Sequence, residues 1–160
     1  MKKYICLIPI ALLLGACGEK DSGLSDYNKA LLNLEKNIQQ CSDIEKAAIT
    51  GDKAQNLDDE TLRIALTYFY FKNAQACTED KKEALLFAIN KVENDKGIAD
   101  LIRMNAAHLK RIFIDDKKKL GIEKDKFDAL SIENKQRLND LNVSNRPFKV
   151  DLAIEYYLAE

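Results

Sequence analysis

His108 is the only histidine in the chain, so a histidine-dependent metal cluster or a Ser-His-Asp set would have to run through it. Its neighbours about one helical turn away, Met104, Asn105, Arg111 and Ile112, include no carboxylate. It falls beside the Leu101 and Ile112 edge of an apolar stripe, the place of a boundary histidine with one ring nitrogen hydrogen-bonded. Paired carboxylates stand at Asp58-Asp59-Glu60, Glu79-Asp80 and Asp115-Asp116. The first two fall where helices would start and the macrodipole favours negative charge; the third precedes Lys117-Lys118-Lys119, with which it can form exposed ion pairs of little energetic consequence. A calcium loop needs carboxylates at alternate positions around a glycine, and no segment provides that pattern. The expectation is a chain with no catalytic residue, no metal and no cofactor.

Tyr68-Phe69-Tyr70-Phe71 is the most suggestive run. Successive side chains on a helix point about 100° apart, so four aromatics in a row cannot share one core face. Either this helix is central and enclosed by others, or part of its aromatic surface is open. In the second case Tyr68 or Tyr70 would line a groove for a partner's helix or an apolar ligand, and Phe148, Tyr156 and Tyr157 could form the opposite wall.

The elements that must carry these residues read as helices throughout. Leu24, Tyr27, Leu31, Leu34, Ile38 and Cys41 alternate steps of three and four, one stripe of an amphipathic helix that Ser25 or Asp26 would cap. The pattern can run on towards Gly51, although Ser42-Asp43 could equally cap a separate short helix. A second helix is expected from about Thr61 to Cys77, and a third opening at Thr78-Glu79-Asp80, with Ala84, Leu85, Ala88, Ile89 and Val92 inward, stopping near Gly97. A fourth carries Ile98, Leu101, Ile102, Leu109, Ile112 and Phe113 and ends on the lysine run before Gly121. Phe127 and Leu130 fall in a connection, Ser131 caps a short helix through Leu141, and Pro147 suits the first turn of a last helix to Leu158. No alternating strand pattern of useful length occurs. The fold class is all-α, an irregular bundle of five to seven helices.

Ahead of these helices, Lys2 and Lys3 precede an apolar run, Ile5 to Leu14, too short to span a bilayer, and Leu14-Gly15-Ala16-Cys17 closes it with small residues and a cysteine. This segment resembles the signal and lipobox of bacterial lipoproteins. An ordinary secretory signal with a chance cysteine is the plainer alternative. The resemblance implies that residues 1–16 are removed as a signal peptide and that Cys17 becomes a lipidated N-terminus bearing fatty acyl chains, palmitate among them. Residues 17–24 would then form the lipidated cysteine and a short flexible tether, and residues 25–160 a single helical domain. At least two acyl chains are needed for sustained anchoring, because each buried methylene contributes about 0.8 kcal/mol. In lipoproteins of enteric bacteria an aspartate after the lipidated cysteine tends to retain the protein in the inner membrane. Gly18 holds that position, so the resemblance implies lipid attachment to the cell outer membrane, facing the periplasm.

Loss of the signal leaves 144 residues, one domain's worth, with 23 basic against 26 acidic side chains and a formal charge of −3. No strongly basic field is left for nucleic acid, so none is expected as a partner. Of the four cysteines, Cys6 leaves with the signal and Cys17 takes the lipid. Cys41 and Cys77 remain, an even pair in a compartment that permits disulfides, and are expected to be bonded. Two free buried cysteines would be the alternative. Their spacing is unlike the Cys-x-x-Cys of a thiol oxidoreductase, so the role expected of the bridge is structural.

The expectation that follows is a lipid-anchored envelope protein without catalytic activity, holding or escorting a partner protein at the membrane. In lipobox, size, helical class and cysteine pair the chain also resembles secretion-system pilotins, small outer-membrane lipoproteins that grip a segment of a secretin. A lipoprotein that protects the envelope from a toxin or hydrolase, and an envelope enzyme, are the further alternatives.

Overall fold

A computed structural model of the chain describes residues 22–49 and 57–158. The lipobox, Cys17, tether residues 18–21 and the greater part of the Thr50 to Leu57 connection lie outside the described residues. Five helices make up the described part: α1 (Ser22–Glu45), α2 (Asp59–Asn94), α3 (Asp100–Asp128), α4 (Ile132–Asn139) and α5 (Val150–Leu158). The class is all-α, with one disulfide, as the apolar periodicity and the cysteine pair indicate.

The starts of α2 and α4 follow capping chemistry, whereas α3 opens at Ala99 without a side-chain cap. Asp58 accepts the backbone N–H of Thr61 at 2.8 Å and its hydroxyl at 2.7 Å, closing the orphan donors at the head of α2. These two bonds hold the Asp58 carboxyl below the usual carboxylate range. Ser131 does the same for α4, accepting the N–H of Asn134 at 3.1 Å. The ends depart from expectation. Ser42-Asp43 does not interrupt α1, which runs to Glu45. Thr78-Glu79-Asp80 does not open a new helix: α2 passes straight through it, and Thr78 is buried with its hydroxyl turned back onto the carbonyls of Ala74 and Gln75. Nor do Lys117–Lys119 and Gly121 stop α3, which continues to Asp128 and makes Phe127 a buried residue of its last turn. Pro147 stands before the final helix, which begins at Val150.

α2 is the axis of the molecule. At 1.5 Å per residue its 36 residues reach about 54 Å, and α1, α3, α4 and α5 all pack on it. α1 runs antiparallel beside it, with Asp26 ion-paired to Lys91 at 2.8 Å near one end and Cys41 bonded to Cys77 in the middle. α3 is antiparallel along another side, where Lys110 pairs with Glu93 at 2.6 Å and Lys82 with Asp116 at 3.4 Å. Two cores form around this axis. One joins Tyr27 and Leu34 of α1, Leu85, Ala88, Ile89 and Val92 of α2, Ile98, and Ala106 of α3. The other joins Leu62, Leu66 and Phe69 of α2 with Phe127, Leu138, Val143, Phe148, Ala153 and Tyr157.

Among the described residues no helix is long and apolar enough to cross a membrane.

Candidate functional site

The aromatic run lies on α2, the helix on which α1, α3, α4 and α5 all pack, but it is not wholly enclosed. Phe69 is fully buried, and Tyr68, Tyr70 and Phe71 are half-buried. Tyr68 and Tyr70 are two residues apart, so they leave the axis about 200° apart and serve different seams. Tyr68 stacks on Phe127 with ring centroids 4.6 Å apart, closing the seam between α2 and the end of α3; Phe69 completes that trio, 5.3 Å from Phe127. Tyr70 faces the other way, edge-on to Phe71 at 5.3 Å and to Phe148 at 6.4 Å. Of the opposite wall inferred from residue type, Phe148 therefore does meet Tyr70, though it is itself buried. Tyr157 is buried in the second core and Tyr156 lies half-buried against it, their rings 5.0 Å apart.

What holds Phe148 against Tyr70 is a polar clamp whose key residue no motif announces. Asn73 is buried one turn after Phe69, and its amide nitrogen donates to the carbonyls of Val143 and Arg146, both at 2.8 Å. Ser144 folds the same turn by donating to the Asn139 carbonyl at 2.8 Å, and Lys72 adds a longer bond to the Ser144 carbonyl. Arg146 then ties the turn to the chain after α1 through the Ala48 carbonyl at 2.9 Å. A lone asparagine on an otherwise apolar helical face, spaced i+4 from a core phenylalanine, was the available signal. Buried amides at such positions must find partners, and these are the carbonyls of a chain segment with no helix of its own.

The Tyr70 seam is also where charge collects. Burial raises the Tyr70 phenol above its ordinary range, and the carboxylates of Glu45, Asp116 and Asp151 push it further in the same direction. Glu45, at the end of α1, is itself raised by partial burial, against which Lys149 pulls back. Ile44 and Leu152, chain neighbours of Glu45 and Asp151, are exposed. The seam thus offers a half-buried aromatic with a neutral hydroxyl, near the carboxylates of Glu45 and Asp151, while Asp116 is already paired with Lys82. Its chemistry suits a partner surface that is apolar with a cationic group.

His108 is exposed on the outer side of α3. Among the described residues no three metal-ligating side chains converge. Neither protein-family models, nor curated proteins, nor solved structures match this chain.

Proposed function

We propose that this chain is a lipid-anchored adaptor of the cell envelope, without catalytic activity, which holds or escorts a partner protein at the membrane and grips it along the Tyr70 seam. The observation that carries the reading is the run Leu14-Gly15-Ala16-Cys17 behind a basic start and a short apolar segment. The Cys41–Cys77 bridge supports export, because structural disulfides persist in oxidising compartments. The seam supports a binding role: a rigid amphipathic tyrosine backed by Phe71 and Phe148 is the kind of anchor that dominates interfaces. Glu45 and Asp151, whose charges act on the Tyr70 phenol, favour a partner segment that carries a lysine or arginine beside its apolar residues.

Mass spectrometry of the mature protein tests the anchor. The acyl mass belongs on a peptide beginning at Cys17; an unmodified N-terminus there, or cleavage elsewhere, removes the lipoprotein reading. Affinity capture from envelopes with wild type, Tyr68→Ala and Tyr70→Ala tests the grip. Tyr70→Ala should lose the partner while keeping most of its stability, and Tyr68→Ala should keep the partner. Equal recovery by both variants would remove the seam from consideration. The pilotin-type reading is the special case in which the partner is a segment of a secretin; the helical class and single bridge are compatible with it, and the identity of the captured protein decides it.

A further inference from the structure

α3 turns an outward stripe to solvent. Met104, His108, Arg111, Asp115, Lys118 and Ile122 follow one another in steps of four and three, which sets them in one line along the helix, and all six are exposed. The line lies opposite the face that carries buried Ala106 and Phe127. Its ends are apolar, with Met104 68% and Ile122 48% exposed, and its middle is charged. Elsewhere on α3 charges are matched across to α2, Lys110 with Glu93 and Asp116 with Lys82. Among the described residues Arg111, Asp115 and Lys118 have no ion-pair partner.

The order of the steps reads the same from either end, so the stripe can lie on a copy of itself running the other way. In that antiparallel register Met104 falls opposite Ile122 of the second copy, Arg111 opposite Asp115 and Asp115 opposite Arg111. His108 falls opposite Lys118, whose long stem lets the ammonium reach water at the edge of the contact. A parallel pairing would set each charge against its own like. Sliding the antiparallel register by one heptad sets Met104 against Asp115 in one direction and Ile122 against Arg111 in the other. One arrangement therefore joins apolar to apolar and opposite charges at the same time.

We propose that this chain pairs with a second copy of itself through the outer stripe of α3, antiparallel, with two Arg111–Asp115 bridges at the centre and Met104 against Ile122 at each end. The stripe points away from α2, so the contact does not use the Tyr70 seam of either copy. Two helices meeting over about 27 Å bury less than the roughly 1,200 Å² at which stable complexes begin, so the pairing draws on chains held at high local concentration. The acyl anchor of the lipoprotein reading supplies that confinement, and a two-fold axis normal to the bilayer keeps both tethers at one height.

The test uses the mature protein in phosphatidylcholine vesicles, with Met104→Cys and Ile122→Cys prepared separately under different tags and treated with a short bis-maleimide. A mixture of the two should cross-link far more than either alone, because like positions stand about 27 Å apart along the paired helices. Arg111→Asp placed in both cysteine variants should cut that yield several-fold, and Asp115→Arg should do the same. The two charge changes together should restore it, all at near-normal melting temperature. No cross-linking, or equal yields from the mixture and the single variants, overturns the pairing. Strong cross-linking of either variant alone means a parallel pair or another register and overturns it as well, as does a double charge reversal that fails to restore the yield. An environment-sensitive fluorophore at Met104→Cys that shifts on adding vesicles, at a dilution where no cross-link forms, assigns the stripe to the bilayer instead. The acyl mass on Cys17 is read on the same material. Preferential cross-linking between positions 104 and 122 on unacylated chains keeps the pairing and removes the anchor, whereas acylated chains without that cross-link keep the anchor and remove the pairing.

Discussion

Asn73 illustrates how one side chain can hold a surface in place. Its amide satisfies two carbonyls of a segment that has no helix to satisfy them, and that segment carries Phe148 to Tyr70. Asn73→Ala should destabilise the protein by about 1–3 kcal/mol, the usual cost of leaving buried polar groups unpaired, and should loosen the 143–148 turn before the rest of the bundle. Chemical denaturation and hydrogen exchange measure both; a change indistinguishable from wild type would mean that water replaces the amide at no cost. The tyrosines make a second expectation at this scale. Burial raises Tyr27, Tyr70 and Tyr157 above the ordinary phenol range, with nearby carboxylates adding to the effect at Tyr70, and Tyr156 adding to it while Arg146 and the Asn142 backbone oppose it at Tyr157. A raised folded-state value favours the neutral phenol in the fold. The stability this confers is complete below about pH 10 and is lost as pH climbs from there through the raised values. Unfolding free energy should therefore fall steeply on the alkaline side, and more shallowly in Tyr27→Phe and Tyr157→Phe. A slope unaffected by those substitutions would assign alkaline unfolding to other groups.

At the scale of elements, the sequence shows which segments are helical more clearly than where they join. The stripe from Leu24 to Cys41, the acidic helix start at Asp58-Asp59-Glu60 and the Ser131 cap are local signals, decided within one or two turns; the last two hold, whereas α1 starts at Ser22, ahead of the expected Ser25 or Asp26 cap and within the expected tether, and buries Tyr27, Leu34 and Cys41 of its stripe while leaving Ile38 exposed. The breaks expected at Thr78 and Gly121 also rest on local chemistry, but there packing along α2 and α3 outweighs it. A threonine followed by two acids can cap a helix or lie inside one, and Thr78 is buried inside, bonded to the preceding turn. Gly121 has no stop to make, since α3 still has Phe127 to deliver to the second core. The candidate seam was legible to the same degree: the aromatic run and Phe148 could be named from sequence, whereas Asn73, Glu45 and Lys149 join it through contacts distant along the chain. Gly121 yields a direct check. It lies exposed within the helix, and an added Cβ would meet nothing within 4 Å. Gly121→Ala should stabilise the protein by about 0.4–1 kcal/mol by limiting the unfolded chain and improving helix propensity. No gain in melting temperature would show that α3 is not helical through this point in solution.

The whole molecule is built on one long axis with a core at each end, and the Cys41–Cys77 bridge sits between them. Phe69 and Leu85 are the facing members of the two cores on α2, 16 residues or about 24 Å of helix apart, and α3 also spans both, with Ala106 in one and Phe127 in the other. α1 contributes Tyr27 and Leu34 to one core, yet its last turn, with Glu45, reaches the Tyr70 seam that borders the other. The bridge is what fixes that second half of α1, because beyond Leu34 the buried apolar contact of the helix is Cys41 itself. Closing a loop between residues 36 apart should stabilise the fold by about 3–4 kcal/mol through the unfolded chain. Its removal should therefore have two readings. Cys41→Ala with Cys77→Ala should lower global stability by about that amount, and under native conditions hydrogen exchange should accelerate first in residues 35–45, with the axis and the first half of α1 still protected. Partner capture should weaken along with this local loosening, since Glu45 leaves Tyr70 when the end of α1 frays. Uniform acceleration across all five helices would mean instead that the bridge acts only on the unfolded chain and that the second half of α1 is held by its own packing.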